Sequence, residues 1–249
     1  MIRVVLPAFN ESEALPRLLA SFAELGQAHR ELELSFIVVD DGSRDGTAES
    51  ARAASPGLRL ELLAHETNQG LGFTLRDGLA AALSEAGDDD VIVTMDADDT
   101  HPVELIPAMV EALGHGADVV IASRFRPGAR VVGVSPARRF LSGAAALLIA
   151  LVFPTRGVRD FTCGFRAYRK GALARARDRF GTGFIAATGF QVQCDILLKL
   201  RALSPPVHFA EVPLVLRYDR KPGASKMKVA RTAFATVLLL VRRRAGVYR

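Results

Sequence analysis

The sequence predicts an α/β fold, a mostly parallel, Rossmann-like sheet flanked by helices. Three observations predict it. Apolar runs of strand length recur through the first half of the chain. The segments between them carry apolar residues at helical spacing. Several of the runs end in acidic or glycine-containing turns, the pattern of buried parallel strands joined by helices.

Taken in order, "IRVVLP" is a buried strand. Asn10 with Glu13 has the spacing of a capping box, and Leu15, Leu18, Leu19 and Phe22 then share one helical face. "SFIVVDDGS" is a second buried strand that ends in acids, with Asp45 placed to cap the next helix. "LRLELLAH" alternates as a strand, and "NQGLG" turns into a helix carrying Leu75, Leu79 and Leu83. "VIVTM" and "ADVVIAS" are the fourth and fifth strands. The second half is less regular. A helix is expected through "ARRFLSGAAALLIALVF", a glycine-rich strand at "TCGFRAYRK" and a helix at "GFQVQCDILLKL". Late strands are expected in "VHFAEVPLVLRY", and a basic helix at the C-terminus.

In open α/β sheets, ligands bind beyond the carboxyl ends of the strands. Pro7 to Glu11, Asp40 to Ser43, Asp96 to Thr100 and Ser123 to Arg126 all follow strand ends, so they are expected to converge on one cleft. The 249 residues, 49% hydrophobic and 24% charged, suffice for a large core. A net charge of +5 favours an acidic partner: a nucleotide, a lipid phosphate, an anionic membrane or nucleic acid. Nucleic acid is disfavoured, because aromatic residues are only 7% and are not interleaved with the basic ones as stacking platforms. Cys163 and Cys194 form no CxxC or Cys/His pattern and read as reduced thiols of a cytoplasmic protein. Ile2 to Leu6 already reads as core, so no signal peptide is expected.

The chemistry concentrates in two turns. In "DDGS", a carboxylate at a strand end can accept hydrogen bonds from a nucleobase or a ribose; Ser43 and Asp45 can equally be turn and cap residues. In "VIVTMDADDTHP", Asp96, Asp98 and Asp99 crowd three carboxylates into four positions. Two such charges about 4 Å apart repel by roughly 1 kcal/mol even in water. Residues i and i+2 of an extended segment face the same side, so Asp96 and Asp98 can face one ion while Asp99 turns away. Oxygen-only ligands suit Mg²⁺ or Mn²⁺, with a diphosphate supplying the remaining ligands. The plainer reading is a solvated acidic turn in which Asp99 caps the following helix.

"LPAFNE", "VVDDGSRDGT", "NQGLG", "DADDTHP", "ASRF", "DFTCGFRAYRK" and "RKPGASKMKV" follow one another from Leu6 to Val229. In that order they resemble the family 2 glycosyltransferases of the GT-A fold, and within them the polyprenyl-phosphate (dolichol-phosphate) sugar transferases. The resemblance implies a GT-A domain over residues 1–226, with an interfacial helical insertion at 130–156, and a C-terminal amphipathic, basic helix at 227–249. It implies that Pro7, Ala8, Asn10, Glu11 and Asp40 line the base and ribose pocket, with Asp41 and Gly70 close by. Asp96 and Asp98, with Ala97 between them, match the metal-binding DxD pair. Arg124 would approach the transferred phosphate or sugar. Arg138 and Ser142 match an Arg-x-x-x-Ser pattern for the acceptor phosphate. Arg220 and Lys226 match a late basic loop over the phosphates, and Asp160 heads a segment near the donor sugar. The implied partners are a nucleotide sugar, GDP-mannose or UDP-glucose, and a polyprenyl phosphate, with inversion at C1. Thr100 departs from the pattern, standing where related transferases often carry a glutamine that can add a metal ligand; the shorter side chain reaches a metal through water. His101 reads as structural.

Arginine forks and a metal are what two approaching phosphates require. The acceptor decides whether a base is needed. A phosphate oxygen is already ionised at neutral pH and attacks directly, whereas a hydroxyl needs a general base. In that alternative, a saccharide or small-molecule hydroxyl as acceptor, Asp160 is the first candidate base and Asp195 a distant second. A non-catalytic nucleotide- or lipid-binding module is a further alternative, but binding lipid alone requires no acidic cluster.

Phe140 to Phe153 is strongly apolar, with Arg138 and Arg139 before it and Arg156 after it. Thr232 to Val241 is apolar and is followed by Arg242, Arg243 and Arg244. Both are too short to span a bilayer and fit helices lying in the interface of the cytoplasmic leaflet, as a peripheral protein would place them. The arginine triplet would add about 3 kcal/mol there. Core helices or a dimer contact would give the same pattern.

Overall fold

The structure, a computed structural model, describes residues 1–221 and 229–248. Its first half runs β1 (Ile2–Ala8), α1 (Ala14–Ala28), β2 (Leu34–Asp40), α2 (Thr47–Ala53), β3 (Leu60–Ala64), α3 (Leu71–Glu85), β4 (Val91–Thr94), α4 (Ile106–Gly114) and β5 (Val119–Ser123). The apolar runs become these strands because both of their faces are covered. Phe22 of α1 packs edge-on against Phe36 of β2, with ring centroids 4.8 Å apart. Val39, three residues on and therefore on the opposite face, meets α3 at Gly78.

The second half adds β6 (Arg130–Val132), α5 (Pro136–Val152), β7 (Arg166–Arg169), α6 (Lys170–Phe180), α7 (Val192–Arg201), β8 (Phe209–Pro213), β9 (Val215–Arg217) and α8 (Val229–Arg244). The main sheet has seven strands in the order β3-β2-β1-β4-β7-β5-β8, while β6 and β9 pair separately. β7 is antiparallel to both neighbours, so the sheet is mixed. The reason is where the strand begins: the segment ahead of it lies at the carboxyl end of β4, where the Gly164 carbonyl accepts a hydrogen bond from Thr94, so β7 runs back down the sheet.

Several local expectations are corrected. Asn10 and Glu13 form no capping box. Asn10 takes a left-handed backbone (φ 53°) and commits its side chain to the turn after β2, where its Oδ1 accepts from the Arg44 amide. The Glu11 carbonyl starts α1 instead, accepting from the amides of Ala14 and Leu15. Asp45 does accept from the Thr47 amide, but Gly46 stands at the N-cap, and the other Asp45 oxygen accepts from the Ser12 amide. The short β6 and the helix α6 escape the periodicity argument: α6 buries only Ala172, Leu173 and Ala176 among its arginines.

α8 is fastened by buried charge. Asp195 of α7 accepts from Lys199 at 2.7 Å and from Arg243 of α8 at 2.5 Å, and Lys199 also donates to the carbonyls of Gly183 and Phe184. All three side chains are buried. Asp195 is therefore structural. Arg243 is withdrawn from the arginine triplet expected at a membrane, leaving Arg242 and Arg244 exposed. Removing one member of such a cluster strands the others. Asp195→Ala is expected to cost about 3–5 kcal/mol in urea unfolding and to speed amide exchange in α8, whereas the surface change Arg244→Ala should do neither.

Candidate active site

The carboxyl ends of β1, β2 and β4 deliver two adjoining half-sites. The first lies between the turns after β1 and β2. Asp40 is buried, and its Oδ1 accepts from the backbone amide of Ser43 at 3.1 Å and from the Ser43 hydroxyl. The Ser43 hydroxyl in turn accepts from the Asn10 amide, 2.8 Å away. A cavity of about 220 Å³ opens here, lined by Phe9, Asn10, Gly42, Arg44, Glu66, Thr67 and Asn68. Gly42 lets its two walls meet: its φ is +69°, and a Cβ there would lie 2.6 Å from the Thr67 carbonyl carbon.

Asp41 and Gly70 serve the wall and not its surface. Asp41 is buried, with one oxygen accepting from His65 Nδ1 and the Gln69 amide and the other from the Gly70 amide. His65 is sandwiched between Asp41 and Asp77, at 2.7 and 3.1 Å. Gly70 lies against the Thr188 carbonyl, which would be 2.8 Å from an added Cβ. Pro7 and Ala8 end β1 beside this half-site; Ala8 is buried, and its carbonyl accepts from the Asp41 amide.

The second half-site is the turn after β4, with Ala97 buried between the two carboxylates. Asp98 Oδ1 accepts from the Thr100 hydroxyl at 2.6 Å and the Thr100 amide at 3.2 Å; its Oδ2 meets Lys221 Nζ at 2.5 Å. Thr100 thus braces the carboxylate. Asp99 turns the other way, its backbone left-handed (φ 58°), towards Arg17 at 3.7 Å and Arg220 at 3.8 Å. His101 stacks on Phe165 and accepts from the Asp96 amide through Nδ1.

The electrostatics follow from these partners. Burial pushes Asp96 up, as does neighbouring Asp98, with His101, Lys221 and Arg124 opposing. Asp98 is buried too, but Lys221 and His101 outweigh the burial and hold it below the usual carboxylate range. Burial raises Asp99 against the pull of Arg220 and Arg17. Among the described residues, none donates a hydrogen bond to the Asp96 carboxylate, and Gly164 leaves room beside it: a Cβ there would lie 3.4 Å from Asp96 Oδ1 and 2.9 Å from Gln193 Nε2. A carboxylate without a donor, next to one that already holds a cation, is a donor set that fits a hard divalent ion. Among the described residues no three His, Cys, Asp or Glu side chains gather into a metal cage, so two carboxylates would be the protein's share.

Arg124, at the end of β5, is held by Asp160. Its Nε and backbone amide donate to Asp160 Oδ2, and its Nη2 donates to Oδ1 and to Thr162. Asp160 Oδ1 also accepts from the amides of Thr162 and Cys163. Burial alone would raise Asp160, but Arg124 overrides it and the carboxyl is lowered; Arg124 is raised in return. A fully buried carboxylate with both oxygens occupied is a poor general base, which weighs against the role given to Asp160 in the hydroxyl-acceptor alternative. Arg124 spends its fork on Asp160, although its charge still reaches Asp96. Cys163 beside it is inert, its thiol pushed to about 12 by burial and by Asp160.

Ser142 is half-buried on α5, and Arg138 begins the same helix; the Arg138 side chain and the whole of Lys226 lie outside the described residues. Sequence reasoning missed Lys221, His65 and Gln193. Lys221 was legible only as one more basic residue in "RKPGASK", because its partner Asp98 is 123 positions away.

The mixed, mostly parallel sheet flanked by helices, with its cavity and acidic turn at the strand ends, is the GT-A fold. Solved structures share this fold. Glucosyl-3-phosphoglycerate synthase of Mycobacterium tuberculosis, determined with Mg²⁺ and UDP, superposes with a TM-score of 0.67 at 23% identity over 99% of this chain and 80% of that one. Mannosyl-3-phosphoglycerate synthase of Rubrobacter xylanophilus gives 0.70 at 21% identity, over 99% and 75%. The family model for glycosyl transferase family 2 matches residues 3–176, and the chain belongs to that family: it is a glycosyltransferase. Among its relatives are the undecaprenyl-phosphate mannosyltransferase of Micrococcus luteus, 33% identical over 91% of this chain and 87% of the relative, and the polyprenol monophosphomannose synthase of Mycolicibacterium smegmatis, 32% identical over 90% and 80%. The dolichol-phosphate mannosyltransferase of Pyrococcus furiosus is 30% identical over 91% of this chain, which spans 59% of that relative's length.

Asp160→Asn leaves Arg124 buried without its counter-charge and should destabilise the fold by about 3 kcal/mol at neutral pH. Because the folded carboxyl is lowered, its contribution is complete above the unfolded value of about 3.9 and is lost as pH falls through the folded value. The gap between wild type and variant, read from urea midpoints, should therefore be constant from pH 8 to 5 and close below about pH 4.

Proposed function

We propose that the protein is a metal-dependent, inverting transferase that moves a hexose from a nucleotide sugar to a polyprenyl phosphate. Mannose from GDP-mannose is favoured over glucose from UDP-glucose, because three relatives over nine-tenths of the chain carry polyprenyl-phosphate mannosyltransferase names. The observation that carries the reaction type is the acidic turn of Asp96 and Asp98 after β4, at the same end of the sheet as the cavity at Asn10 and Gly42. Asn10, Glu11 and Asp40 receive the base and ribose, and Asp96 and Asp98 hold Mg²⁺ or Mn²⁺. When bound, the ion offsets charge developing on the leaving diphosphate. Arg220, with Arg138, Ser142 and Lys226, supplies the polar contacts to phosphate. A phosphate acceptor needs no general base, which agrees with the closed environment of Asp160.

The acceptor reading is supported by the surfaces of two helices. α5 turns Ala146 and Ile149 inward, Phe153 just after it is also buried, and the helix exposes Phe140, Leu141, Leu147, Leu148 and Leu151, with Phe140 76% exposed. α8 exposes Phe234, Val237, Leu238 and Val241 on one stripe and buries Leu239 and Arg243 on the other. Among the described residues no helix is long and apolar enough to cross a membrane. Such faces suit helices that lie in the headgroup region and support the reading of a peripheral protein; the cytoplasmic leaflet is part of the same proposal.

The reaction is tested by crossing GDP-mannose, UDP-glucose and UDP-N-acetylglucosamine with a polyprenyl phosphate, with Mg²⁺, Mn²⁺ or chelator. A lipid-extractable mannosyl phosphate is expected from GDP-mannose, abolished by chelator and reduced about a hundredfold or more in Asp98→Asn. Donor hydrolysis with no lipid product would sink the acceptor assignment. The membrane contact is tested separately: Leu148→Asp should reduce co-sedimentation with anionic vesicles while leaving the melting temperature near that of wild type, since Leu148 is 62% exposed.

A further inference from the structure

The proposed reaction gives Lys221 no task, yet this side chain occupies the part of the site where a cation is wanted. Its Nζ is 2.5 Å from Asp98 Oδ2, and the two side chains are only 15% and 8% exposed. The other oxygen of Asp98 is already held by the amide and hydroxyl of Thr100. The edge at Oδ2 is therefore the one on which an incoming cation would bond, and Lys221 has it. Asp96 and Glu11 add to the negative field around the ammonium.

Lys221 also belongs to a strap. From β9 the chain passes over the acidic turn and is tied to it at three successive points: the Arg217 amide donates to the Thr100 carbonyl at 2.9 Å, Arg220 faces Asp99 at 3.8 Å, and Lys221 closes on Asp98. Gly133 backs the strap so closely that a Cβ there would lie 2.7 Å from the Asp219 amide nitrogen. The last tie is a cation on a carboxylate that the proposed reaction needs for another cation.

We propose that Lys221 is the resident counter-ion of Asp98, and that a divalent metal binds by displacing it, so that metal loading and release of the strap's tie at Lys221 are one event. This rests on the reading of Asp96 and Asp98 as metal ligands. The coupling is reciprocal: whatever holds Lys221 on Asp98 weakens metal binding, and metal weakens the strap. The apparent metal affinity is lowered by the fraction of molecules in which Lys221 has left Asp98.

The test is a titration of the full chain with Mn²⁺ alone, followed by the electron paramagnetic resonance of free Mn²⁺. Lys221→Gln is expected to bind Mn²⁺ about tenfold or more tightly than wild type. Arg220→Gln removes a nearby positive charge without freeing Asp98 and is expected to change the affinity much less. Equal tightening in both variants makes the effect one of general field and overturns the proposal. Unchanged or weaker binding in Lys221→Gln, while Asp98→Asn still abolishes binding, overturns it and leaves the metal reading standing. Binding that is absent, or indifferent to Asp98, in every chain defeats the metal reading and the proposal together. A measurement on wild type alone guards against a misfolded variant: Mn²⁺ should speed amide exchange across residues 217–221, and unchanged exchange there counts against displacement.

Discussion

Asp96, Asp98 and Asp99 stand within four residues at the end of a buried strand, and each has to be balanced by something carried on another element. Asp98 takes Lys221 from the strap after β9, and Asp99 takes Arg17 from α1 and Arg220 from the same strap. Asp96 lies in the field of His101, Lys221 and Arg124 and has no hydrogen-bond donor among the described residues. Two like charges at this separation are costly near a protein surface, where the interaction is several times stronger than in water. The position of the strap, the left-handed turn at Asp99 and the close packing at Gly164 all follow from bringing those charges together while leaving one carboxylate open.

Two other clusters of buried charge are settled in ion pairs that chemistry does not have to disturb. Arg124 and Asp160 satisfy each other beside the site, and Asp195, Lys199 and Arg243 do so between α7 and α8. Both clusters fix geometry: the first holds the loop leading into β7 against the end of β5, and the second holds α8 so that its apolar stripe faces outward. A buried ion pair adds little net stability over an apolar substitute, but leaving either member alone is expensive, which makes such pairs effective at specifying one arrangement.

The two half-sites divide the labour by chemistry. The cavity beside Asn10 and Gly42 is lined by turn residues, among them Thr67 and Asn68 with the charged Arg44 and Glu66, and in the proposed reaction it takes the base and the ribose. The turn at Asp96 and Asp98 concentrates charge, suited to a metal and a diphosphate. Asp41 and His65 brace the far wall of the cavity, since the hydrogen bonds of Asp41 run to the segment after β3.

The first five strands, the intervening helices and the acidic turns were legible in the chain itself, because burial on both faces writes itself as uninterrupted apolar runs in four of the strands, the edge strand β3 shows alternation, and a parallel sheet puts its loops where ligands bind. The acidic turn after β4 was legible for the same reason, as a loop beyond a strand end, and the pairing of Asp96 with Asp98 on one metal belongs to the proposed reaction. Local spacing could not say that β7 is antiparallel, that Asp160 is locked to Arg124, that Arg243 is buried while Arg242 and Arg244 are not, or that Lys221 meets Asp98. Each of these is a contact between residues dozens of positions apart, 36 for Arg124 and Asp160, 48 for Asp195 and Arg243 and 123 for Lys221 and Asp98. Periodicity reports which face of an element is apolar; which charge lies opposite a given carboxylate is decided only when the elements pack.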